Sequence, residues 1–116
     1  MKHTMLAVLL AVVMAPGLAL AHSEARPGAP ADGETLSAPP EVVRLNFGGP
    51  MRITVLKLVG PAGEVPLART DGMQPVTTLE ARPEGELGAG AYEIEWRGMG
   101  ADGHIMEGTV DFQIEP

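Results

Sequence analysis

Ala91-Tyr92-Glu93-Ile94-Glu95-Trp96-Arg97 places every second side chain on the same side of an extended chain. Tyr92, Ile94 and Trp96 are apolar while Glu93, Glu95 and Arg97 are charged, the two-residue period of a strand with one buried face. The device recurs between Gly108 and Glu115, with Val110, Phe112 and Ile114 inward against Asp111 and Gln113. Upstream, Val43, Leu45 and Phe47 oppose Arg44 and Asn46, and Gly48-Gly49-Pro50 is predicted to end that strand. Residues 51–59 are rich in β-branched types and predict a second strand; Gly60-Pro61-Ala62-Gly63 reads as a turn and Glu64 to Ala68 as a short third strand. Between Arg69 and Gly90 only Val76 to Ala81 reads as a strand. No helical periodicity follows the first 21 residues. The expected fold is therefore all-β, a small antiparallel β-sandwich or Greek-key barrel of immunoglobulin- or cupredoxin-like type. A domain this small needs its few aromatics for packing, so Phe47, Tyr92, Trp96 and Phe112 are assigned to the core.

The two strongest strands are joined through Met99-Gly100-Ala101-Asp102-Gly103-His104-Ile105-Met106-Glu107. Asp-Gly between strands is a hairpin signal, which would leave His104 a solvated neighbour. The same triplet, Asp102-Gly103-His104, allows a second reading. Gly103 permits an extended or tightly turned backbone, so carboxylate and imidazole can face one point and form half a metal site.

The other half is sought at the N-terminus. Lys2 and His3 precede an apolar run from Met5 to Met14, then Pro16-Gly17 and the small-residue pattern Ala19-Leu20-Ala21. This is the pattern of an export signal, with an apolar run too short to span a bilayer. Cleavage after Ala21 divides the chain into a signal peptide, residues 1–21, and one domain, residues 22–116; an uncleaved anchor is the alternative. After cleavage His22 is the first residue. Its α-amine, with an ordinary pKa of about 7.7–8.0, and its imidazole can then close a chelate ring on one cation. From His22 to Pro40 the chain is rich in Pro, Ala and Gly, which excludes a helix and leaves a floppy leader or an extended edge segment.

Composition narrows the chemistry. The 116 residues contain no cysteine, although export leads to a compartment that permits disulfides. Thiolate zinc sites, iron–sulfur clusters and blue-copper centres are excluded, and any metal meets nitrogen and oxygen. Without Lys2 the exported chain has 7 basic residues against 15 acidic ones, a net charge of −8. Nucleic acid and anionic membrane surfaces are poor partners for it, and no membrane insertion is expected after signal cleavage.

Pro39-Pro40-Glu41-Val42-Val43-Arg44-Leu45-Asn46-Phe47, Gly90 to Arg97, Ala101-Asp102-Gly103-His104 and the closing Gly108 to Phe112, behind a mature start at His22, together resemble the CopC-type copper resistance domain. The resemblance covers essentially the whole exported chain. It implies a periplasmic β-sandwich that carries Cu(II), with His22 supplying amine and imidazole, Asp102 a carboxylate oxygen and His104 a second imidazole. It further implies delivery to an inner-membrane copper transporter of the CopD type or to a copper enzyme. Three nitrogens and one oxygen suit tetragonal Cu(II). Three positions depart from the family pattern: Gly49 stands for a glutamate, Gly100 for a serine and Ile105 for a proline, the last two expected to loosen the loop. The middle segment offers only Met73, so no dedicated Cu(I) site is expected, with Met99 and Met106 left as possible transient contacts.

Two rival functions carry their own signatures. A histidine-brace copper oxidase or monooxygenase would need the position of Asp102 open for oxygen, and one Trp and one Tyr give little aromatic surface for gripping sugars, so the chain is read as a non-enzyme. A metal-free immunoglobulin-like interaction domain would make Asp102-Gly103 merely a turn.

Overall fold

The structure is a computed structural model and describes residues 25–116. The expected signal peptide, residues 1–21, and His22 lie outside the described residues. Strand β3 (Val43–Gly60) is the frame of the domain, and it runs straight through Gly48-Gly49-Pro50. The predicted strand end is corrected to a change of partner. Residues 43–46 pair with β6 (Val76–Pro83), residues 51–59 pair with β7 (Gly90–Gly100), and Met51 lies opposite both Val76 and Gly100. The β6 ladder is irregular between Asn46 and Met51. Two glycines present no Cβ to the bend, and Pro50 has no N–H to donate, so the interruption falls where the sequence tolerates it best.

The other elements attach to this bent strand. β1 (Ala25–Ala29) runs antiparallel along β3 with Ala25 opposite Phe47, and Asn46 Nδ2 donates to the Pro27 carbonyl at 2.8 Å. The leader is thus an edge segment from Ala25 onward. β2 (Glu34–Leu36) pairs in parallel with β8 (Ile105–Ile114), a departure from the all-antiparallel expectation. The predicted strand from Glu64 to Ala68 is divided at Pro66 into β4 (Gly63–Val65), which pairs with β3, and β5 (Leu67–Arg69), which pairs with β6. Pro66 removes a donor at the point where the chain crosses from one partner to the other. β7 and β8 form a ten-position ladder from Gly90 opposite Ile114 to Met99 opposite Ile105.

One hydrogen-bonded sheet therefore curls over on itself at β3, and its inner faces meet in the core. Val43, Leu45, Phe47, Leu79 and Ala81 come from one side; Leu58, Tyr92, Ile94, Trp96, Phe112 and Ile114 come from the other, and all are buried. Phe47 meets Trp96 edge to face at 5.1 Å between ring centres, and Tyr92 stacks on Phe112 at 5.3 Å. All four aromatics take the core role expected of them. Trp96 lies so close to Gly108, its cross-strand partner, that a Cβ there would sit 2.7 Å from the indole nitrogen.

After β5 the chain is clamped by one ion pair. Arg69 donates to both carboxylate oxygens of Asp71, at 3.0 and 2.7 Å, and to the Ile53 carbonyl at 2.8 Å. The Asp71 side chain is only 4% exposed. Donation from Arg69 holds its carboxyl below the usual carboxylate range, against the opposing effect of burial.

Candidate metal centre

Four residues, Ala101 to His104, connect β7 to β8. The hairpin is closed by Gly100 N donating to His104 O at 2.9 Å and Gly103 N donating to Gly100 O at 3.0 Å. Gly103 has φ +82°, a left-handed conformation that glycine adopts without Cβ strain. The turn reading of Asp102-Gly103 is thus correct as far as the backbone goes. The side chains add what a turn does not require.

Asp102 Oδ1 accepts the backbone N–H of His104 at 3.0 Å, and Asp102 Oδ2 lies 2.7 Å from His104 Nδ1. One carboxylate therefore locks the turn and orients the imidazole. Both side chains are open to solvent, 59% exposed for Asp102 and 80% for His104. Donation from the His104 backbone, then from its ring, holds the Asp102 carboxyl below its ordinary range, so it is a carboxylate at neutral pH. Sequence spacing predicted the convergence of these two residues; it did not disclose that Asp102 also caps the turn. The Asx-turn habit of aspartate two residues before a donor is the signal that points to it.

The departures from the family pattern take a different meaning here. A Cβ on Gly100 would sit 3.1 Å from Asp102 Oδ1, so this glycine leaves room for the carboxylate to close on the turn. Ile105 stands in the ladder opposite Met99. The hairpin is held by its own hydrogen bonds. Met99 and Met106 cannot converge on one ion: Met99 pairs with Ile105 on the exposed face, whereas Met106 pairs with Gly98 and packs against the core. Among the described residues no group of three or more His, Cys, Asp and Glu side chains stands ready for a metal. Asp102 and His104 are a pair that needs a further donor.

Residues 26–115 match the family model of the CopC domain. This chain belongs to the CopC family. It is similar to Copper resistance protein C of Escherichia coli, at 27% identity over 108 residues that cover 84% of each chain. A second relative, Copper resistance protein C of Pseudomonas syringae pv. tomato, is 25% identical over 112 residues, 89% of this chain and 88% of its own. Among solved structures, the crystal structure of CopC from Methylosinus trichosporium OB3b superposes with a TM-score of 0.68 at 27% identity, covering 82% of this chain and 95% of that one. PcoC, a methionine-rich copper resistance protein from Escherichia coli, gives a TM-score of 0.65 at 26% identity over 81% of this chain and 99% of its own. The CopC fold is the β-sandwich expected from strand alternation. The relatives are copper resistance proteins by name, which is consistent with the non-enzyme reading.

Proposed function

We propose that this CopC-family chain is a periplasmic Cu(II) carrier, exported by cleavage after Ala21, that holds the ion between His22, Asp102 and His104 and passes it to an inner-membrane transporter of the CopD type. The observation that carries the reading is the 2.7 Å approach of Asp102 Oδ2 to His104 Nδ1 on an exposed hairpin tip. Two neighbouring ligands each about 2.0 Å from a metal, at right angles, lie about 2.8 Å apart. A cation that displaces the proton shared by this pair would find two corners of a tetragonal plane already spaced. The amine and imidazole of His22 would supply the other two. That donor set of nitrogen and oxygen favours Cu(II) over the harder Mg and Ca ions.

The position of Ala25 supports the reach this requires. β1 begins at Ala25, three residues after His22, and Ala25 lies opposite Phe47, next in β3 to the Gly48–Met51 stretch. Met51 is the residue that pairs with Gly100 at the base of the hairpin. Ala25 also lines one groove with Trp96, Glu107 and Gly108, which places the start of β1 beside the β8 stem. Any chain of three residues reaches at most about 10 Å.

The test is a Cu(II) titration followed by electron paramagnetic resonance on protein beginning at His22, beside protein with one extra residue in front. The proposal expects one tight equivalent with a nitrogen-rich tetragonal spectrum, lost or reshaped by the extra residue. Weak, heterogeneous binding that ignores the extension would favour the metal-free interaction domain.

A further inference from the structure

Gly98 and Gly100 stand two apart in β7, so both leave a side-chain position empty on the same face of the sheet. That face is the inner one, and across the ladder their partners are Met106 and, at the closing turn, His104. The space above Gly98 is filled. A Cβ there would lie 2.9 Å from Ile53 Cδ1 and 3.0 Å from Met51 Cγ, and both of those side chains are fully buried. Met106, the cross-strand neighbour of Gly98, extends instead toward the hairpin tip: its methyl carbon stands 3.4 Å from the point where a Cβ of Gly100 would be.

The same point lies 3.1 Å from Asp102 Oδ1. A thioether and the carboxylate that orients His104 therefore border one notch, the one that Gly100 leaves open. His104 and Met106 are two residues apart and share a side of the strand, while Met99 and Ile105 project from the other side. The stem of Met106 packs against the core, and its end reaches the exposed turn. Filling the notch is one role for a flexible, unbranched side chain. Its chemistry adds a second. Thioethers are soft ligands that select copper, above all Cu(I), and a weak axial thioether tunes the potential of copper centres. A tetragonal plane drawn from His22, Asp102 and His104 leaves its axial positions to other donors.

We propose that Met106 is a further copper ligand of this hairpin, its sulfur meeting the ion from the core side of the Asp102–His104 pair, weakly as Cu(II) and strongly as Cu(I). The chain then holds copper in either oxidation state at one place. The proposal rests on the Cu(II)-carrier reading above. Met99, as near to the triplet in sequence, is 42% exposed on the opposite face and serves as the control.

The test uses protein beginning at His22, titrated with Cu(II) and, without oxygen, with Cu(I) supplied as its acetonitrile complex against a chromophoric Cu(I) chelator. Parent, Met106→Leu and Met99→Leu are compared, since leucine keeps the bulk of methionine and removes the sulfur, a swap that cores tolerate. Met106→Leu is expected to keep the Cu(II) equivalent and to lose at least about tenfold in Cu(I) affinity, a fall in copper potential of about 59 mV for one electron. Met99→Leu is expected to match the parent in both titrations. On the parent itself, one equivalent of diamagnetic Cu(I) should move the isotope-labelled methyl resonance of Met106 and leave those of Met73 and Met99 in place, a readout that needs no variant to fold. Met106→Leu that holds Cu(I) as tightly as the parent, or a Met106 resonance that Cu(I) does not move, overturns the proposal and leaves the Cu(II) site standing. Equal losses in the two leucine variants overturn it as well, because any surface thioether would then suffice. A parent that takes up no Cu(II) overturns the carrier reading and this proposal with it.

Discussion

Asp71→Asn removes one charge and little volume from the clamp that follows β5, and its cost can be worked from the hydrogen bonds. The carboxylate accepts two donors of Arg69, at 3.0 and 2.7 Å. An asparagine offers one carbonyl oxygen to that pair and turns an amide donor toward the other. One charge-assisted bond is lost, about 1.5–3 kcal/mol for hydrogen bonds to charged groups. Arg69 keeps the Ile53 carbonyl and is 20% exposed, so water can take up part of the loss. About 2 kcal/mol is expected, equivalent to a fall in Tm on the order of 10 °C for a domain of this size. The pH dependence gives a second check. The folded Asp71 carboxyl is held below its ordinary range, so its stabilisation is complete above the unfolded value of about 3.9 and is lost as pH falls through the lower folded value. Thermal melts of parent and variant should differ from pH 7 down to about pH 4 and converge in stronger acid. A Tm difference within about 2 °C at pH 7, or one that persists unchanged below the folded value, would refute the reasoning.

Three further outcomes are expected. His104→Ala should abolish the tight Cu(II) equivalent without changing the melting curve, since an 80% exposed side chain contributes little packing; Asp102→Asn should weaken binding about 10–100-fold and alter the spectrum, read by titration and electron paramagnetic resonance. Gly108→Ala forces a Cβ against the Trp96 indole, and urea unfolding should show about 1–3 kcal/mol of destabilisation with a changed emission from the single tryptophan. Peroxide should oxidise exposed Met73 and Met99 well before Met51, which is 0% exposed, as peptide mapping by mass would report.

Much of this protein was legible in its residues. The alternation from Tyr92 to Trp96 and from Val110 to Ile114 identifies inner faces because a strand has a period of two whatever its neighbours. The Asp-Gly pair identifies the hairpin because few residues adopt a positive φ as readily as glycine. The spacing of Asp102 and His104 makes their meeting possible, since both belong to one short turn. These are local properties, decided within a few bonds.

Only the tertiary structure decided the rest. Gly48-Gly49-Pro50 carries the same residues whether a strand ends or bends there, and the bend follows because β6 and β7 compete for opposite halves of β3. Pro66 reads as an ordinary interruption until its two flanks are seen to join different partners. Gly100 leaves room for Asp102 Oδ1, a proximity across the turn that no one-dimensional pattern encodes. Met99 and Met106 look equally close to the triplet in sequence, yet the ladder sends them to opposite faces. The reach of Met106 toward the tip, with Met51 and Ile53 filling the space above Gly98, likewise depends on register between strands far apart in the chain, which is set by the packing of the whole core and not by any one segment.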